Sequence, residues 1–144
     1  MTEGRGAHTY ETAFRRRWTA SPDDIDFMGH VNNLVYLRWA TDIAGHHWQT
    51  VASGDMQAAG LWVVLRHEID YRGELKEGDE IEVSTWLGAA KGARYDRHVD
   101  IRKVGAAKPS ASVLTTWAYI DTATRRPKRV PDSVFETFGL LRAG

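Results

Sequence analysis

The chain has 144 residues, enough for one domain with a core of its own. Its 19 basic and 19 acidic side chains cancel, which leaves no basic surplus for nucleic acid. It contains no cysteine, so disulfides, thiolate metal sites and a cysteine nucleophile are excluded.

Residues 1–11 read as a flexible tail and 12–144 as a single domain. Met1 to His8 lacks the apolar run of a signal peptide, and the longest apolar stretch, Ala58 to Leu65, is too short for a bilayer. The expectation is a cytoplasmic protein with no nucleic-acid and no membrane partner. From Thr12 to Thr19, Phe14, Arg16 and Trp18 alternate with Arg15, Arg17 and Thr19, a weak strand pattern. The Arg15-Arg16-Arg17 run reads as the solvated side of that strand before it reads as a phosphate site. Ser21-Pro22-Asp23-Asp24 opens a loop that runs to Gly29. A long helix follows, because Tyr36, Ala40, Ile43, Ala44, His47 and Val51 lie on one stripe. Asn32 or Asn33 is placed to cap its start and Gly54 to close its end. Gly45 inside it costs about 1 kcal/mol relative to alanine and suggests either a close backbone neighbour or nothing.

The remainder reads as sheet. Val63, Leu65, His67, Ile69 and Tyr71 alternate with Arg66, Glu68 and Asp70, which predicts a strand over 62–71 with Glu68 outside the core. Glu77-Gly78-Asp79 is a turn, and Ile81, Val83, Thr85 and Leu87 make the next strand. After Lys91-Gly92, Tyr95, Val99 and Ile101 alternate with Asp96, His98, Asp100 and Arg102. Val104 to Ser110 is a loop, Ala111 to Asp121 a strand, and a short helix runs from Pro131 to about Leu141. One strand, one long helix and about four strands joined by turns predict an α+β domain with an antiparallel sheet. Its second face is left to solvent or to a partner. Six tryptophans suggest a filled core, a subunit interface or an apolar pocket.

Chemistry concentrates in Asp24-Ile25-Asp26-Phe27-Met28-Gly29-His30-Val31-Asn32-Asn33. Two acids, a histidine and two amides stand just before a helix start, where unpaired N–H groups and a partial positive charge suit an oxyanion. A carboxylate beside it attacks a carbonyl carbon or takes a proton from water. One carboxylate and one oxyanion hole suffice for a thioester, whose thiol leaving group has a pKa of about 8.5, and are thin equipment for an amide. The same residue types also serve as ordinary caps and turn formers. Asp42 reads as a solvated helix carboxylate. His46 and His47 face different sides of the helix, so no metal site is expected. Lys91, Arg94, Arg97 and Lys103 read as exposed charges, with a CoA phosphate as the alternative.

The run Asp24-x-Asp26-x-x-Gly29-His30-Val31-Asn32-Asn33-x-x-Tyr36 resembles the signature of hotdog-fold thioesterases of the 4-hydroxybenzoyl-CoA thioesterase class. It is also similar to the matching loop of plant acyl-ACP thioesterases, with Met28 where those have asparagine. Leu37-Arg38-Trp39, His67-Glu68-Ile69-Asp70-Tyr71, Gly78-Asp79 and Trp117-Ala118-Tyr119-Ile120-Asp121 extend the likeness over roughly 14–138. The resemblance implies a hotdog fold, a sheet of five or six antiparallel strands wrapped around one long helix, in a homodimer or homotetramer with sites at subunit interfaces. It implies Asp26 as the catalytic carboxylate, Asn33 as the donor whose backbone N–H polarises the carbonyl, and His30 as a supporting residue. Gly29, Asn32 and Tyr36 are expected to contact substrate, with Trp39, Trp62 or Tyr71 lining an acyl pocket. The substrate would be an acyl-CoA or acyl-carrier-protein thioester, and no cofactor is expected. The alternatives are a hotdog dehydratase or hydratase, and a non-catalytic acyl-thioester-binding protein.

Overall fold

The apolar stripe becomes the buried face of α1 (Asn33–Val51), a helix of 19 residues. Tyr36, Ala40, Ile43, Ala44, His47 and Val51 are all buried, and Val35 and Trp39 widen the face. Asn32 is the cap: its side chain accepts the Leu34 N–H at 2.9 Å. The structure is a computed structural model that describes residues 8–139.

Gly54 does not close α1. It opens a second short helix, α2 (Gly54–Ala59), because the Ser53 hydroxyl accepts the Met56 N–H at 3.2 Å and so acts as an N-cap. The five strands are β1 (Phe14–Thr19), β2 (Gly60–Tyr71), β3 (Glu80–Lys91), β4 (Arg94–Lys103) and β5 (Ala111–Asp121). They form one sheet in the order β1-β3-β4-β5-β2, with every neighbouring pair antiparallel. A final helix, α3 (Asp132–Thr137), ends before the expected Leu141, which lies outside the described residues. The tail expected over 1–11 also lies outside them up to residue 7. From His8 the chain is already turned, and the Tyr10 ring sits edge-on to Trp86 at 5.8 Å.

The inner face of the sheet packs on α1. Phe14, Ile81, Val83, Ile101 and Val113 meet the N-terminal half of the helix. Leu87, Tyr95 and Tyr119 meet Val51, the α3 side chains Val134 and Phe135, and Phe138 just after α3. Each large apolar side chain buried this way contributes about 1.5–3 kcal/mol. Arg15 and Arg17 pair with Glu82 across the β1–β3 edge at 3.5 and 3.3 Å, and the Arg16 guanidinium lies over the Phe14 ring at 4.2 Å, so the arginine run belongs to the strand.

β2 departs from the uninterrupted alternation read in the sequence. A bulge at Leu65, between Val64 and Arg66 in the pairing with β5, switches the two faces. Ahead of it Trp62 and Val64 point inward, while Val63 and Leu65, expected in the core, are 46% and 50% exposed. Beyond it His67 and Ile69 return inward and Glu68 stays outside, as expected.

Asp24 ties the loop after β1 to α1. Its buried carboxylate accepts the Ser21 N–H at 3.0 Å, the Ser21 hydroxyl at 3.1 Å and Arg38 Nη2 at 2.6 Å. Burial alone would raise this carboxyl, but the bonds from Ser21 and Arg38 outweigh it and hold it below the ordinary 3.8. A carboxyl depressed in the folded state lends stability that is complete above its unfolded value and lost as pH falls through its folded one. Asp24→Ala should therefore cost about 2 kcal/mol at neutral pH in urea unfolding, and the gap to the unsubstituted protein should close below about pH 4. A gap that is the same at pH 3 and pH 7 would refute this account.

Candidate active site

The loop from Ile25 to Val31 is closed at its neck by a bridge between those two residues. Inside it the Asp26 N–H donates to the His30 carbonyl at 2.8 Å, and the Gly29 N–H to the Asp26 carbonyl at 3.1 Å. Gly29 takes φ +82°, where a side chain is strained. This tight turn fixes the Asp26 carboxylate. Its Oδ1 accepts the Met28 N–H at 2.8 Å and the His30 N–H at 3.3 Å. Its Oδ2 has no hydrogen-bond partner among the described residues, and the side chain is only half-buried.

The start of α1 follows within three residues. The Asn32 N–H donates to the Asp24 carbonyl at 2.8 Å, the Leu34 N–H to the Asn32 side chain, and the Val35 N–H to the Asn32 carbonyl at 2.9 Å. The Asn33 N–H has no acceptor among the described residues. From β2 the Tyr71 hydroxyl donates to the Asn33 carbonyl at 3.0 Å, and its ring lies edge-on to Tyr36 at 5.4 Å. Asp26, His30, Asn33, Tyr36, Tyr71 and Glu74 share the wall of one cavity of about 350 Å³. A residue with an acceptor-only carboxylate and one with an unpaired backbone donor at the positive end of a long helix thus line the same space.

The expected site residues divide in the structure. Asp26, His30, Asn33 and Tyr36 are brought together. Gly29 shapes the turn and the Asn32 side chain caps the helix, and neither lines the cavity. The His30 N–H serves Asp26, while its imidazole Nε2 lies 3.2 Å from Glu74 Oε2 at the rim. Burial pushes the Tyr36 phenol up to about 12, so it remains a neutral hydroxyl. Asp42 and His46 are exposed and His47 is buried on the other side of α1. Among the described residues no group of three or more His, Asp or Glu is placed to hold a metal ion.

A second cavity, of about 340 Å³, opens farther along α1, with Gly45, Trp48, Trp62, Tyr95, Arg97 and Trp117 on its wall. A Cβ on Gly45 would meet nothing within 4 Å, so this glycine leaves space rather than admitting a neighbouring backbone. Trp39 is buried and lines neither cavity. Arg97 overturns the expectation of an exposed charge: it is 7% exposed, on the inner face of β4. Its Nη1 donates to His47 Nδ1 at 2.8 Å and to Thr85 Oγ1 at 3.1 Å. Burial brings its guanidinium down to about 10, still protonated at neutral pH. The signal was present in the sequence, since Arg97 shares the parity of Tyr95 and Val99. Glu74 had no such signal, because it lies in an irregular segment.

Residues 20–138 match the Thioesterase-like superfamily. A Staphylococcus aureus protein characterised in complex with CoA superposes with a TM-score of 0.78 at 18% identity, covering 88% of this chain and 82% of its own. The dynemicin thioesterase gives 0.78 at 22% identity, with 92% and 99% covered. A 1,4-dihydroxy-2-naphthoyl-CoA thioesterase from Synechocystis gives 0.74 at 15% identity, with 88% and 96% covered. At these identities the likeness establishes the fold. The chain matches no curated protein sequence.

The Asn32 cap holds the first turn in place, so its removal should be felt as stability. Asn32→Ala should lower unfolding free energy by about 1 kcal/mol, measured by thermal or urea denaturation. Asn32→Asp should retain most of it, and equal losses in both variants would mean that the cap is not the cause.

Proposed function

The chain belongs to the thioesterase-like superfamily and has the hotdog fold, and we propose that it hydrolyses an acyl-CoA or acyl-carrier-protein thioester. The observation that carries this reading is the shared cavity of Asp26 and the Asn33 N–H. The thioester carbonyl oxygen accepts the Asn33 N–H, and the positive end of α1 stabilises the charge that develops on it. Asp26 uses its unpartnered Oδ2 either to attack the carbonyl carbon, forming an anhydride that water then opens, or to take a proton from the attacking water. Both routes consume one water and end in a free acid and a thiol. His30, through its N–H, holds Asp26, and Tyr36 and Tyr71 wall the reacting group. The CoA complex of one structural neighbour and the CoA-thioester name of another support CoA as the thiol. No helix among the described residues is long and apolar enough to cross a membrane.

The working unit in this reading is a homodimer. β2 is an edge strand of 12 residues whose outer side shows Leu61, Val63 and Leu65, between 38% and 50% exposed. An unpaired edge with an apolar flank is a pairing surface. A second copy of β2 laid antiparallel on it would set the Tyr71 end of one subunit, with its Asp26 cavity, beside the Gly60–Trp62 end of the other, with its aromatic cavity.

Asp26→Asn keeps an Oδ1 that still accepts from Met28 and His30, so it should fold with an unchanged melting temperature. Thiol release from acyl-CoA substrates should fall by about 100-fold or more. Near-full activity would remove Asp26 from the mechanism, and hydration of crotonyl-CoA without thiol release would point to a hydratase. Val63→Lys should shift the protein to monomers in sedimentation at micromolar concentration and depress hydrolysis with it. A fully active monomer would defeat the dimer reading.

A further inference from the structure

We propose that the cavity walled by Trp48, Trp62, Tyr95 and Trp117 receives the acyl group and that Arg97 selects acyl chains ending in a carboxylate. The inference rests on the thioesterase reading above, but its observations are independent of Asp26.

Arg97 is a buried cation with no carboxylate against it among the described residues. Its nearest acid in sequence, Asp96, also borders the cavity, but its side chain is on the other face of β4, where Oδ1 accepts the Thr116 hydroxyl at 2.9 Å. Its hydrogen-bond partners, His47 Nδ1 and Thr85 Oγ1, are both taken by Nη1. An arginine only donates, so His47 Nδ1 is the acceptor and the imidazole proton sits on Nε2. Nε and Nη2 have no partner among the described residues, and neither is sealed from solvent. They therefore reach open space, and Arg97 is part of the cavity wall.

The Nε–Nη2 edge of a guanidinium is a fork that matches the two oxygens of a carboxylate. A second donor on the same wall is also unsatisfied: the Trp117 indole N–H is buried without an acceptor. The other large wall groups, Trp48, Trp62, Leu87, Tyr95 and Phe138, suit a methylene chain. A largely apolar cavity with an uncompensated cation in its wall fits a chain that is apolar along its length and anionic at its tip. A bound carboxylate would replace the hydration that Arg97 has lost, which a methyl terminus cannot do.

The test compares adipoyl-, suberoyl- and sebacoyl-CoA with hexanoyl-, octanoyl- and decanoyl-CoA on the full-length protein. At least one carboxylated substrate should exceed its chain-matched partner in kcat/KM by about tenfold or more. That ratio should collapse in Arg97→Met, which keeps volume without charge, and be intermediate in Arg97→Lys, which keeps charge without the fork. Free suberate against octanoate in a thermal-shift assay gives a readout without turnover, and a suberate-specific rise in Tm should vanish in Arg97→Met. Hydrolysis of the plain chains with no carboxylate preference, or a preference that survives Arg97→Met, overturns the proposal and leaves the thioesterase reading intact. Absence of thiol release from every substrate defeats the thioesterase reading instead. The suberate shift then decides the Arg97 site, and no shift overturns it.

Discussion

The hydrogen bond from the Leu34 N–H to the Asn32 side chain determines what the start of α1 has left to offer. Four N–H groups at a helix start lack internal acceptors, and a cap satisfies one or two of them. Here Asn32 takes up the Leu34 donor with its side chain and the Val35 donor with its carbonyl, while its own N–H goes to Asp24. The Asn33 donor remains without an acceptor among the described residues, and Asn33 lines the cavity together with Asp26. Asp24 and Arg38 clamp the incoming loop onto the next turn of the helix, so the carboxylate and the donor are fixed by one piece of local structure.

Much of this was legible in the chain. The six-residue stripe of α1 is fully buried, and the loop between Asp24 and Asn33 brings together the acid and donor that its composition suggested. Both are local features, set by periodicity and by side chains that bond to nearby backbone. What sequence reading lost was not local. The reversal of Val63 and Leu65 depends on how β2 registers against β5, and no residue in β2 marks the bulge. The contribution of Glu74 depends on a segment distant from His30 in sequence. Arg97 is a different case: strand parity placed it inward, and the general rule that arginines are exposed prevailed over a pattern that was correct.

A buried arginine among aromatic rings also shapes the packing around it. The Phe138 ring lies 5.7 Å from the guanidinium, and His47, held by Nη1, is stacked on Phe14 at 4.7 Å. Through these contacts the cation connects α1, β1, β3 and the residue that follows α3. Cavity and core are therefore one structure at this point, and Arg97 supports both.

The bulge at Leu65 gives one strand two separable responsibilities. Ahead of it Trp62 lines the aromatic cavity, while Val63 and Leu65 face outward on the free edge. Because neighbouring positions answer to different surfaces, a lineage can exchange side chains at one set without disturbing the other. Ligand choice and self-association are then free to drift apart over descent, even though both are written in the same short stretch of chain.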